Sequence, residues 1–233
     1  MIFEWDDVLI LGDSYCQERW ELEKFDWPIL FSNLLTGDKR PPRGIGGGGC
    51  SWWFTRKMLL KELAEKIPKV LVLCHTSKER IPNDHNYGIN WGVIDNRMRV
   101  GINIESDIGA DYAKVTDSSV AYYKYLYCAD YHHWAYYHWY NELNDLLSTI
   151  KIPRVIHLNN FFPYTFDYGT TADILLKDTA PKFTWTTYHR NHYTTIQNKQ
   201  LGYNLYRAVL NYNENDRLKN LNLFGDVDDV HLG

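Results

Sequence analysis

Ser14, His192 and a glycine-rich run at residues 44–49 are the features of this chain that could, if brought together, carry out acyl transfer. A serine hydroxyl becomes a nucleophile when a base removes its proton and hydrogen-bond donors hold the oxyanion that follows. Ser14 closes the tripeptide Gly12-Asp13-Ser14, directly after the apolar run Val8-Leu9-Ile10-Leu11. An apolar run stopped by glycine reads as a core strand ending in a tight turn. Open α/β sheets hold their ligands just beyond such strand ends. Most Gly-Asp-Ser tripeptides are plain turns or helix caps, so the serine takes its meaning from the other two features.

His192 stands in a loop just ahead of a helix, a position from which a side chain reaches a strand-end site. With nine histidines in the chain, it also reads as an ordinary surface residue. The run Gly44-Ile45-Gly46-Gly47-Gly48-Gly49 is almost free of Cβ atoms, so its backbone N–H groups can approach an oxyanion closely. The same run could cradle a phosphate. It lacks the Lys-Ser/Thr ending of a P-loop and the spacing of the dinucleotide fingerprint.

The elements that must position these residues alternate between strand and helix. Asp26 as N-cap and Pro28 in the first turn predict a helix carrying Ile29, Leu30, Leu34 and Leu35. Phe54, Met58, Leu59, Leu63 and Ala64 recur at helical spacing up to Lys66, and Pro68 ends that helix. Val70-Leu71-Val72-Leu73 reads as a second buried strand and Val155-Ile156-His157-Leu158 as a third, with Lys182-Phe183-Thr184-Trp185 a short fourth. Residues 82–110 break the rhythm as an insertion, with a hairpin at 93–100, that would cover the site from a strand's carboxyl end. A helical pattern spans about Ser118 to Ile150 and carries most of the tyrosines. The last helix opens on a capping box, Thr194 with Gln197, and buries Leu201, Leu205, Ala208 and Val209; Gly202 would permit close packing. This alternation predicts an α/β three-layer sandwich with a central parallel sheet, one domain over residues 1–213 followed by a polar tail at 214–233.

Taken together these pieces resemble the SGNH/GDSL hydrolase family, over residues 7 to about 210. Gly12-Asp13-Ser14 looks like its first block, and Trp27-Pro28-Ile29-Leu30 is similar to the Trp-Pro-x-Leu that often opens the next helix. Arg43-Gly44-Ile45-Gly46-Gly47 resembles the second block, and His192 before a helix with Leu201-Gly202-Tyr203 resembles the last. The resemblance implies a flavodoxin-like strand order and a serine esterase without a cofactor. Ser14 would be its nucleophile and His192 its base and then acid. The oxyanion hole would be built from the N–H groups of Gly47 and Ser14, with Gly48 a one-residue alternative. The expected substrate is an ester-bearing small molecule or an O-acylated glycan.

Two blocks depart from the family. Where Gly-x-Asn-Asp is usual, this chain has Cys74-His75-Thr76-Ser77, so Ser77 stands in the place of the oxyanion-hole asparagine. A hydroxyl donates one hydrogen bond, and His75 and Asn83 are other donors that the motif does not place. Where Asp-x-x-His is usual, the chain has His189-Arg190-Asn191-His192, so the orienting carboxylate is missing. Asp13 and His189 are the supporting candidates. Asp228-x-x-His231 restores the spacing but lies in the acidic tail with no helix after it. Such degenerate blocks, with an insertion and abundant aromatics, look like SGNH-like domains of bacteriophage virion and tail proteins. The alternative expectation is therefore a structural or glycan-binding virion component, assembled as a homo-oligomer or with virion partners.

Bulk properties narrow the field further. A net charge of -4 over 233 residues argues against a nucleic-acid surface. No apolar run is long enough to enter a membrane, and the Met-Ile-Phe-Glu-Trp start has no basic n-region, so synthesis in the cytoplasm without a signal peptide is expected. Cys16, Cys50, Cys74 and Cys128 are widely spaced and read as reduced thiols. His132, His133 and His138 have no His-Glu-x-x-His pattern, so no metal is expected there. The 18 tyrosines, 9 tryptophans and 9 phenylalanines suit an assembly surface or a glycan-facing cleft, and Trp52 and Trp53 serve equally as pocket or core.

Overall fold

The computed structural model describes residues 3–13, 15–16, 26–44, 46–47, 50–78, 80, 110–160, 166–173 and 195–212. Its sheet grows from runs of aliphatic residues buried on both faces, as parallel strands require. Strands β1 (Val8–Asp13), β3 (Val70–His75) and β4 (Arg154–Asn159) form its centre, flanked by β2 (Gly46–Gly47) and β5 (Thr170–Asp173). The order is β2-β1-β3-β4-β5 and every pairing is parallel. Val8 opposes Val70, and Val70 opposes Arg154, so the three central strands start level.

Alternation along these strands sends their side chains into two separate cores. Val8, Ile10, Val72 and Ile156 pack with Trp27, Phe31 and Leu35 of α1 (Trp27–Thr36) and Leu201, Leu205 and Val209 of α5 (Thr195–Leu210). Leu9, Leu11, Leu73 and Val155 pack with Leu59 of α2 (Trp52–Glu65) and Tyr136, Trp139, Leu143 and Leu147 of α4 (Ala129–Ile150). The expected arrangement, helices on both faces of a central parallel sheet, is therefore present. Helix α1 links β1 to β2 on one face, while α2 links β2 to β3 on the other. Reversing the direction of travel across the sheet while keeping right-handed crossovers requires that change of face. Strand order thus reverses between β1 and β3, and it is beyond the carboxyl ends at such a switch point that open α/β sheets hold their ligands.

Local chemistry sets the boundaries. Asp26 is the N-cap of α1 and Pro28 lies in its first turn, although the Asp26 side chain makes no capping bond. Gly37 ends α1 in the left-handed region at φ 73°. Gly202 faces Leu30, where a Cβ would meet the leucine side chain at 3.0 Å, so α5 and α1 approach closely. The helical pattern expected from 118 to 150 is two helices, α3 (Ala110–Tyr125) and α4. Leu126 and Tyr127 both donate to the Tyr122 carbonyl, and that doubled bond turns the chain out of α3. Strand β5 was not legible because Thr170-Thr171-Ala172-Asp173 is polar, yet Thr170, Thr171 and Ala172 are buried. The strand expected at 182–185, Thr194 of the capping box, the hairpin at 93–100 and the tail at 214–233 lie outside the described residues. Among the described residues no helix is long and apolar enough to cross a membrane.

Arg43 anchors the approach to β2. Its carbonyl accepts from Ile10 N–H at 3.0 Å. Its buried guanidinium pairs with Glu62 at 2.8 Å and donates to the carbonyls of Lys66 (2.7 Å), Asp6 (3.2 Å) and Glu62. Next to it, Gly44 has φ 86° and lies so close to β1 that a Cβ would sit 2.3 Å from the Ile10 carbonyl oxygen. Removing one partner of a buried ion pair costs about 3–5 kcal/mol, against about 0–1 for an exposed pair. Arg43→Met is therefore expected to lower unfolding free energy by about 3 kcal/mol, and Arg40→Met, whose pair with Asp38 is exposed, to leave it nearly unchanged. Urea unfolding of the two variants checks the contrast.

Candidate active site

The switch point between β1 and β3 is built on Asp13, the last residue of β1, whose side chain is completely buried. Its carboxylate accepts from Tyr15 N–H at 3.0 Å, and its carbonyl from Cys16 N–H at 3.1 Å, so the chain folds back over the strand end. Trp27 Nε1–H fastens this turn to α1 through the Tyr15 carbonyl at 2.6 Å. Ser14 itself lies outside the described residues. The register places Gly47 opposite Asp13 and Gly46 opposite Gly12, so these two glycines lie beside the end of β1, whose last residue precedes Ser14 in the sequence. Gly48 and Gly49 lie outside the described residues.

A third segment, after β3, closes the group. Arg80 is buried, and its Nη1 lies 2.8 Å from Asp13 Oδ2 and donates to the Cys50 carbonyl at 3.0 Å. Thr76 Oγ1 donates to the same carbonyl at 3.1 Å, and the Thr76 side chain lies beside the Asp13 carboxylate. Burial pushes the Asp13 carboxyl above its ordinary range, and the Arg80 cation works against that rise. Ser77, the expected oxyanion donor, is half-buried beside this cluster, and its carbonyl accepts from Arg80 N–H at 3.3 Å. The structure thus gathers Asp13, Gly47 and Ser77 at the carboxyl ends of neighbouring strands. His189, His192, Asn83, Asp228 and His231 lie outside the described residues.

His75 turns away into the α2–α4 core. Its Nε2 lies 2.9 Å from Nδ1 of His157, and Nε2 of His157 lies 2.8 Å from the Tyr168 carbonyl oxygen. A carbonyl only accepts, so His157 carries its proton on Nε2, and its Nδ1 receives the His75 Nε2 proton. The Nε2 proton of His75 is thereby committed inside the core and is not offered to an oxyanion. Phe166 stacks on both rings, at 3.8 Å from His157 and 4.4 Å from His75 between centroids. Burial holds both imidazoles neutral: His157 is lowered to about 3, and His75 lies well below the usual histidine range.

The α2–α4 side of the rim is aromatic. Trp52 stacks on Trp139 with centroids 6.4 Å apart, while Trp53 is exposed under the Arg56 guanidinium. The start of α4 abuts the Ser77–Arg80 segment, where His132 Nδ1 lies 3.3 Å from the Lys78 carbonyl oxygen. Beyond it Tyr131, Trp134 and Tyr137 are more than half exposed, at 57%, 57% and 53%. His132 also bonds the Tyr122 hydroxyl at 2.7 Å, and among the described residues no three metal-binding side chains cluster.

Sequence reasoning passed over Arg80, Thr76 and His157. Arg80 follows Ser77 by three residues in no recognised motif, and His157 is a lone polar residue inside an apolar run. That lone histidine was the available signal, because a polar group in a two-faced buried strand must find a partner.

The histidine pair makes stability depend on pH. Between pH 6.5 and about 3 the unfolded chain binds a proton at His157 and the folded chain does not, and the lowered His75 adds to the same difference below pH 6.5. Stability therefore falls as pH drops through that window, by at most about 1.4 kcal/mol per pH unit for each ring. Denaturant midpoints measured from pH 7 to 4 are expected to show this slope. His157→Gln, neutral throughout, is expected to remove one ring's share of it. Compared with protein-family models, with curated proteins and with solved structures, the chain shows no match.

Proposed function

We propose that this chain is a serine esterase of SGNH type that removes O-acyl groups from a carbohydrate. The observation that carries the reading is the register of β1 and β2, which sets Gly47 opposite Asp13, the residue before Ser14. The β2-β1-β3-β4-β5 order supports it, being the flavodoxin-like order that the family resemblance implies. The exposed rings of Tyr131, Trp134 and Tyr137, on the helix that abuts the rim, suit a saccharide that presents apolar ring faces and polar edges.

In this reading Ser14 Oγ attacks the ester carbonyl carbon while His192 takes its proton. The carbonyl oxygen becomes an oxyanion held by the N–H groups of Gly47 and Ser14 and by the Ser77 hydroxyl. Collapse breaks the bond to the sugar oxygen, which leaves with the proton from His192. Water then attacks the acyl-serine by the same route and releases the acid. The Asp13 carboxylate faces Arg80 and accepts from the turn after β1. His192 without a neighbouring carboxylate loses part of its control over tautomer and charge, so turnover below that of a full triad is expected.

A second reading, a structural component of a virion, draws on the same exposed aromatic face of α4. It predicts an oligomer that covers Tyr131, Trp134 and Tyr137, and a monomer in sedimentation velocity would count against it. For the esterase, a short-chain aryl ester is expected to be hydrolysed and Ser14→Ala to lose turnover by at least about 1000-fold. Equal activity in the variant would dispose of Ser14 as the nucleophile.

A further inference from the structure

We propose that Arg80 is a positioning residue that locks the turn after β1, the segment after the glycine run and the turn after β3 into one rigid rim. One guanidinium nitrogen contacts Asp13 Oδ2 at 2.8 Å and the Cys50 carbonyl at 3.0 Å, and Arg80 itself follows β3. Asp13 adjoins Ser14, and Cys50 stands three residues after Gly47. The nucleophile and two of its oxyanion donors, Gly47 and Ser77, therefore lie on segments joined at one side chain. Thr76 doubles the hold on the Cys50 carbonyl at 3.1 Å.

Stability alone is a poor reason for this arrangement. A buried ion pair seldom outperforms apolar residues of the same volume, because desolvation offsets most of its attraction. Asp13 is fully buried and the Arg80 side chain 6% exposed, so both charges bear that cost at the carboxyl edge of the sheet. What the pair supplies and apolar packing does not is direction. The Arg80 guanidinium donates to the Cys50 carbonyl along a fixed N–H direction while its charge faces Asp13, whereas a lysine ammonium is a point charge on a flexible stem. Acyl transfer needs such direction, since misplacing reacting groups by about 1 Å can cost about 100-fold in rate.

This role rests on the esterase reading, and the test separates the two. Serine-directed fluorophosphonate labelling and aryl acetate kinetics would be measured on wild type, Arg80→Lys and the charge-balanced Asp13→Asn/Arg80→Met. Circular dichroism and melting temperature would be recorded beside them. Both variants are expected to fold, to label Ser14 about 10- to 100-fold more slowly, and to lose kcat by the same factor with KM within about twofold. If Arg80→Lys fails to fold, the double variant carries the comparison; if neither folds, the pair belongs to the core alone and the role is overturned. Folded variants that label at the wild-type rate overturn the role of Arg80 and leave the esterase reading standing. A folded wild type that is not labelled overturns the esterase reading and the role with it.

Discussion

Beside Gly12 there is no room for a side chain: a Cβ would lie 2.4 Å from the Cys74 carbonyl oxygen and 2.5 Å from the Cys74 Cβ. The carboxyl ends of β1 and β3 meet at this point, and much of the molecule follows from how closely they do so. With Gly12 opposite Cys74, the strands remain level to their last residues and the segments beyond them leave side by side. Arg80 can then reach Asp13 and Thr76 can reach the Cys50 carbonyl. A larger residue at position 12 would push the strands apart at their carboxyl ends, and the ties across them would lengthen together.

The sequence carried the central strands and their neighbours clearly, and the reason lies in burial. Val8–Leu11, Val70–Leu73 and Val155–Leu158 are covered on both faces, so each shows an apolar run that little else in a chain of this size produces. Helices α1 and α5 were legible from Pro28 and from the stripe of Leu201, Leu205 and Val209. Strand β2 hid inside the glycine run because two glycines pair through backbone alone, and β5 hid because its threonines are buried without being apolar. In the site, Gly47 and Ser77 were found through their places in blocks. Arg80 was not, because its partners stand 67 and 30 residues away and only the fold makes them neighbours.

Several polar groups in and beside the sheet share one pattern. Asp13, His75, His157, Asn160 and Arg43 are all buried, and each meets a partner from another segment of the chain. Asn160 donates to the Cys74 thiol sulfur at 2.8 Å, and His157 meets both His75 and the Tyr168 carbonyl. Such contacts add little net stability one at a time. They make the wrong register costly instead, because a slipped strand would strand several of them at once in an apolar core. The two leucine and valine cores supply the driving force, and the polar ties select one alignment.

The docking of α5 on α1 has a consequence in time rather than in space. Trp27 N–H meets Asn198 Oδ1 across 171 residues of chain, and Gly202 sits against Leu30. Contacts of that separation form late, since the intervening chain must give up its freedom before they return anything. During synthesis the sheet's α1 face stays uncovered until α5 emerges, leaving Trp27, Phe31 and Leu35 open to other molecules. In the sequence, His192 comes three residues before that helix. Completion of the fold and arrival of the proposed base are therefore successive moments of the same event, and a chain shortened before α5 would lose both.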